Sequence, residues 1–363
     1  MFRSPWFWIV VALIVAGVAL TAVLDVLYWL VGAFVVAALI VIVVFLVAAF
    51  PAGRAELPQV ERLRAVPPFD RFPVIFDCDV TMGHPFRDVS DGLALLYLLG
   101  EPRVDLLCVT TTYGNAPVRA TTRAVRCLLD RLGYKDLATL RGAAGPDEEP
   151  ETNQAARHLQ DVVTARPGEV AVIATGSMTN LKHAAALDPS FFEKLRGLYL
   201  LGGVTEPLVW NEHRLAEINF ALDPEAAYQA IHADCPVTIA TGKAGLTAIF
   251  RSPQFAALQA LGDPVSRLIA RKTRFWFALM RLYFRDGGFA MWGSVAALPL
   301  TYPELFAYEQ VHVTSTRDDL RTGRLVLDPD RYAPVRIVRG VRDLDSFILA
   351  HFAAWQRVGR KGE

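Results

Sequence analysis

Cysteine is scarce in this chain of 363 residues: there are four, at positions 78, 108, 127 and 235, with no CxxC pair among them. That spacing excludes a zinc ribbon and a disulfide framework, and it suits a reducing compartment. Net charge is missing as well, because 37 Lys and Arg balance 37 Asp and Glu. No nucleic acid is expected as a partner, since phosphate binding needs a basic excess gathered on one face. Internal repeats and low-complexity tracts are also absent. Polar residues are rarest from Trp6 to Phe50, where only Gly17, Thr21, Asp25 and Gly32 are not apolar.

As a single helix that apolar stretch would measure about 67 Å at 1.5 Å per residue, roughly twice the hydrocarbon thickness of a bilayer. The chain is therefore expected to fold back at Asp25 into a two-helix transmembrane hairpin, with spans at about 6–24 and 26–50. Arg3 precedes the first span, and Arg54, Arg62 and Arg64 follow the second. The positive-inside rule then places both ends in the cytoplasm, which implies a multi-pass membrane protein with two spans and a cytoplasmic domain. A cleaved signal peptide followed by an anchor competes with this reading, but the first run is long for a signal peptide and lacks a clear cleavage site. Residues 51–71, rich in proline and without helical period, read as a linker. They leave 72–357 as the main domain.

In that domain apolar strands alternate with helical patterns. Strands are expected at Phe72–Asp79, Val104–Thr111, Val170–Ala174, Leu198–Leu201 and Val237–Ala240, and helices at Val89–Leu99, Val118–Leu132, Asn180–Leu187 and Pro224–His232. This rhythm predicts an α/β domain with a doubly wound, mostly parallel open sheet, whose ligands bind at the carboxyl ends of the strands. Near the C-terminus, Gln310–Thr316 and Arg324–Leu327 flank a polar Asp318-Asp319 turn and predict an antiparallel hairpin. A last helix is expected from Leu344 to Trp355.

Carboxylates gather just after the first strand, as Asp77-Cys78-Asp79 and then Asp88-Val89-Ser90-Asp91. Side chains two apart on an extended chain share a side, and a carboxylate opening the next helix can meet them. Such negative density is costly unless a hard cation such as Ca²⁺ or Mg²⁺ neutralises it. The plainer alternative makes Asp77 a structural acceptor and Asp88 and Asp91 helix caps.

Phe76-Asp77-Cys78-Asp79-Val80-Thr81 resembles the first motif of haloacid-dehalogenase-type phosphatases, a short signal taken alone. The wider pattern resembles the inosine-uridine preferring nucleoside hydrolase family. It comprises Asp91-Gly92-Leu93-Ala94-Leu95-Leu96, Val109 to Asn115, Ala174 to Leu181, Leu201-Gly202-Gly203, and Asn211, Glu217 and Asn219 followed by Asp223-Pro224-Glu225-Ala226-Ala227. The resemblance implies a Rossmann-like fold and hydrolysis of the N-glycosidic bond of a ribonucleoside or related riboside. It implies Asp79 as general base and Ca²⁺ ligand, with Asp91 and the Thr175 carbonyl as further ligands. Asn115, Asn211, Glu217 and Asn219 would bind the ribose hydroxyls, and a homo-oligomer is possible within the family.

Two departures bear on activity. Ser90 stands where the family has an aspartate that binds ribose, with His84 and Asp88 nearby as substitutes. Met291-Trp292-Gly293-Ser294 replaces a motif that normally carries a ligand aspartate; Gly293 cannot ligate through a side chain, and Trp292 cannot protonate a leaving base. Asp286 is a further possible substitute. A weakened calcium site is therefore expected, and the alternative to an enzyme is a weakly active or inactive ribosyl-binding membrane protein. Between Val265 and Arg285 a helix carries Arg267, Arg271, Arg274, Arg281 and Arg285 on one stripe. This stripe reads as a solvated basic face, or as one resting on anionic lipid of the bilayer.

Overall fold

The computed structural model describes residues 5–49, 71–285, 287–328, 330–331 and 335–359. Within the first segment the backbone is described throughout and the side chains in part. The linker expected at 51–71 lies, except for Arg71, outside the described residues, as does Asp286. The chain divides into two units, residues 1–50 and 51–363.

The first unit holds one continuous helix, α1 (Pro5–Ala49), so the expected hairpin is not formed. The helix runs through Asp25 without a break. Neither proline nor a glycine pair stands there to end it, and one charged side chain does not stop a helix of Ala, Leu, Val and Ile. Two antiparallel spans with both ends on one side cannot be built from an uninterrupted helix. The multi-pass, cytoplasm-facing placement, which needs that hairpin, is overturned. Neither a bilayer nor a second copy of the chain is supported as a partner.

The second unit is built on a nine-stranded sheet. In chain order its strands are β1 (Phe72–Cys78), β2 (Val104–Thr111), β3 (Ala138–Arg141), β4 (Ala171–Ala174), β5 (Gly197–Leu201), β6 (Val237–Ala240), β7 (Phe306–Val313), β8 (Leu327–Asp328) and β9 (Val335–Val341). Their spatial order is β8-β7-β9-β6-β5-β4-β1-β2-β3. All pairings from β3 to β9 are parallel, and β7 joins β9 and β8 antiparallel. The expected C-terminal hairpin is thus present, but β7 pairs mainly with β9. A short helix at Arg317–Leu320 stands between β7 and β8 in place of a simple turn.

Helices cover both faces: α2 (Ser90–Gly100), α3 (Val118–Arg131), α4 (Gln154–Ala165), α5 (Thr179–Leu187), α6 (Pro224–Ile231), α7 (Pro264–Phe284), α8 (Trp292–Ala297) and α9 (Leu344–Arg357). The two-residue period of the strands divides the core accordingly. Val74, Phe76 and Cys78 pack with Leu93, Phe352 and Trp355 on one face, while Ile75 packs with Val172, Leu198 and Phe191 on the other. On α7 the residues Leu268, Ile269, Phe277, Met280 and Phe284 are buried while Arg267, Arg271, Arg274 and Arg285 are exposed. That division fits the solvated-face reading of the arginine stripe.

Chain order runs from β1 outward through β2 and β3, then restarts on the other side of β1 with β4. The crevice at such a switch point, outside the carboxyl ends of the strands, is where open α/β sheets bind ligands. Asp79 follows the end of β1 and Thr175 follows the end of β4.

Candidate active site

Asp79 is fully buried, and both of its oxygens accept from one residue: Oδ2 from the Asn115 backbone N–H at 2.6 Å and Oδ1 from Asn115 Nδ2 at 2.8 Å. Asn115 reaches it because Gly114 turns the chain after β2 with φ +152°, and a Cβ at Gly114 would lie 2.1 Å from Asp79 Oδ2. Asp91, in the first turn of α2, lies on the other side. Its Oδ2 accepts the Asp79 backbone N–H at 3.2 Å and the Thr175 hydroxyl at 2.7 Å. The Thr175 carbonyl accepts Asn219 Nδ2 at 2.9 Å, which also donates to Leu201 O at 3.0 Å. Four strand ends, those of β1, β2, β4 and β5, are thereby joined around two carboxylates.

Burial shapes the acidities. Loss of water raises Asp79 to about 6, against the lowering effect of the Asn115 donors. Asp91 is pushed well above the carboxylate range, first by burial and then by the negative charge of Asp79. Asp77 rises to about 7 through burial, although its Oδ1 accepts Thr110 Oγ1 at 2.6 Å and Asn180 Nδ2 at 2.7 Å. Among the described residues no Lys or Arg pairs with Asp77, Asp79, Asp88 or Asp91.

Beside these groups lies a cavity of about 570 Å³ whose polar floor is lined by Asp88, Ser90, Asp91, Asn115, Thr175 and Asn219; Asp79 adjoins it through Asn115 and Asp91 and is not itself a lining residue. Its opposite wall is apolar, with Leu208, Ile218, Trp276, Met280, Phe284 and Trp292. Trp292 is fixed by donating Nε1 to Gly242 O at 3.1 Å, and Trp210 stacks on Phe284 with centroids 4.2 Å apart. A polar floor facing an aromatic wall suits a ligand with a hydroxylated end and a planar end. Ser90 is at the wall, and its hydroxyl donates to Asp88 Oδ2 at 2.6 Å. Asp88 thus reaches the site alongside the serine, and His84 does not line the cavity.

Asn211 and Glu217 are not brought to this wall. Asn211 is exposed and forms, with Glu212, a two-residue turn at φ 45° and 68° between Val209–Trp210 and His213–Arg214, the conformation that tight hairpins require. Its Nδ2 donates to Phe284 O at 2.7 Å. Glu217 is turned back on its own loop, accepting the Phe220 and Ala221 amides at 3.0 Å each, and so holds the loop that presents Ile218 and Asn219. The sequence reading missed Leu208, Leu215 and Ile218 as wall residues, because no pattern marks apolar side chains in a loop as facing a ligand.

The donors present fit a hard cation. Two buried carboxylates and a carbonyl converge with no protein cation beside them, an arrangement whose electrostatic cost a divalent ion relieves. The set is one acid short: among the described residues no three of His, Cys, Asp and Glu form a metal-holding group. Gly293, where a further acid was expected, has no room for one, since a Cβ there would lie 2.6 Å from Asp91 Oδ1.

Comparison with known proteins agrees with this geometry. The family model described as inosine-uridine preferring nucleoside hydrolase matches residues 74–348. A pyrimidine-specific ribonucleoside hydrolase, RihA, of Citrobacter koseri is 26% identical over 70% of this chain and 88% of its own. Uridine nucleosidase 1 of Arabidopsis thaliana is 24% identical over 66% of this chain and 79% of its own. The solved structure of a purine-preferring ribonucleoside hydrolase from Gardnerella vaginalis superposes with a TM-score of 0.69 at 20% identity, over 79% of this chain and 99% of that one. With the strand ends, the buried aspartates and the family match in agreement, this chain belongs to the inosine-uridine preferring nucleoside hydrolase family and is an N-glycosyl hydrolase.

Proposed function

We propose that the chain hydrolyses the N-glycosidic bond of a ribonucleoside with Asp79 as general base. The observation that carries this reading is the buried Asp79 carboxylate, held on both oxygens by Asn115, which itself lines a half-polar, half-aromatic cavity. Cleavage leaves positive charge on the ribose, and water must reach the anomeric carbon. In this reading Asp79 takes that water's proton, and its ionised carboxylate stabilises the developing cation. Asn115, Asn219 and the Asp88–Ser90 pair meet the sugar hydroxyls, while Trp276, Phe284 and Trp292 shelter the base and exclude water. Asp79, Asp91 and the Thr175 carbonyl would hold a Ca²⁺ ion, which when bound lowers the pKa of water and engages hydroxyl oxygens. The test is release of free ribose from purine and pyrimidine nucleosides, in calcium and in chelator. Binding without release would refute it.

Two expected outcomes follow. Because a general base works only when ionised, kcat/KM should climb with pH through about 6 and level off above roughly pH 7. Added calcium should move that rise to lower pH; a flat profile across the range would remove Asp79 from the role.

Among the described residues no histidine lines the cavity, and its one phenol, on Tyr283, belongs to an exposed side chain, so we expect the leaving base to depart without a proton from the protein. General acid catalysis typically contributes about 10²–10⁴-fold. A 4-nitrophenyl riboside, whose leaving group needs no proton, should therefore be cleaved faster than uridine or inosine by about that factor. Equal rates would show that a protein acid protonates the leaving base.

A further inference from the structure

A second cavity, of about 560 Å³, opens beside the edge of the sheet, away from the catalytic carboxylates. Arg119, Arg123 and Arg126 line it from α3, and Arg141, the last residue of β3, completes the wall. On a helix these three α3 positions recur at one-turn and two-turn intervals and share a face. All four arginines are exposed, and among the described residues none forms an ion pair with a carboxylate. Arg126 donates to the Thr139 carbonyl at 3.1 Å.

One carboxylate, Glu148, also lines the groove, but it is engaged with its own loop. Its Oε2 accepts the Ala144 N–H at 2.6 Å and its Oε1 accepts the Thr152 hydroxyl at 3.5 Å. The loop is firmly anchored, since Asn180 Oδ1 accepts the Ala143 N–H at 2.9 Å, and a Cβ at Gly142 would lie 2.2 Å from that same oxygen. Positive charge continues past the groove: burial, followed by the neighbouring Arg131 and Arg271, holds the Lys272 ammonium below its ordinary range.

We propose that this groove is a binding site for the polyphosphate group of a soluble metabolite, separate from the nucleoside cavity. Guanidinium groups bind phosphate through paired, planar N–H donors. The α3 row spans about 10 Å at 1.5 Å per residue, a length that accommodates two or three linked phosphates. Among the described residues no aromatic side chain lines the groove, and single-stranded nucleic acid would require one to stack on its bases. Recognition is of the phosphates.

Cys127 supplies the probe. It lines the groove and is exposed, whereas Cys78, Cys108 and Cys235 are buried. Maleimide labelling of Cys127 in the full-length chain at low salt should be slowed at least fivefold by millimolar sodium tripolyphosphate. It should not be slowed by sodium sulfate at matched ionic strength, and vesicles containing phosphatidylserine should give no protection. In Arg123→Ala/Arg141→Ala the tripolyphosphate protection should disappear, while ribose release stays unchanged because neither residue touches the nucleoside cavity. Three results would overturn the proposal: labelling of the wild type indifferent to tripolyphosphate, equal protection by sulfate or in the variant, or protection by vesicles alone.

Discussion

Asp79→Asn is expected to lower kcat for nucleoside cleavage by about 10²–10⁴-fold, the range that a positioned general base contributes, with a much smaller change in KM. The reasoning rests on shape and charge together. Asparagine fills the same volume between Asn115 and the end of β1 and keeps one oxygen to accept from Asn115, so the strand end should stay in place. What is lost is the basic lone pair. The rise of rate with pH near 6 should vanish with it, because the group responsible no longer titrates. Circular dichroism of the variant should match the wild type, and nucleoside binding should persist. A variant retaining more than a tenth of the activity would mean that another residue takes the proton.

Gly293→Asp is the second large effect, and its sign separates two accounts of the site. If this position lacked only a ligand, adding a carboxylate would tighten calcium binding and raise turnover. The structure gives the opposite expectation. A Cβ at 293 would lie 2.6 Å from Asp91 Oδ1 and 3.1 Å from Asp91 Cα, closer than atoms pack, so Asp91 or α8 must shift. Overpacking of this kind costs about 1–3 kcal/mol, and a third carboxylate beside two buried ones adds repulsion. The midpoint of thermal unfolding should fall, and turnover should fall with it because Asp91 is drawn off Thr175 and the Asp79 amide. Tighter calcium binding with higher turnover would show that Asp91 yields readily and that the site is merely incomplete.

The parallel sheet was legible because its strands are buried on both faces and are punctuated by helices: Val104–Thr111 and Val237–Ala240 match the expected strands end for end. Asp79, Asn115 and Thr175 were legible for a different reason, since each stands a few residues past a strand whose position limits where its side chain can be, while Asp91 opens the helix after β1. Asn211 and Glu217 sit in the long connection after β5, where spacing carries no such geometric constraint. There the chain uses Asn211 to make a turn and Glu217 to satisfy backbone amides. Ala138–Arg141 was missed because an edge strand with exposed ends lacks an apolar run. Val335–Val341 was missed because Arg336 and Arg339 interrupt its hydrophobic pattern. In the first fifty residues length was read as a reason to fold back, yet nothing at Asp25 breaks a helix.

The central claim is that water, deprotonated by Asp79, attacks the anomeric carbon and replaces the base. Cleavage in ¹⁸O-enriched water, with mass analysis of the sugar, tests it most directly. The expected result is ribose carrying one heavy oxygen at C1, formed without added phosphate and lost in Asp79→Asn. Ribose 1-phosphate formed only when phosphate is supplied, or intact nucleoside recovered from a chain that binds it, would contradict the claim.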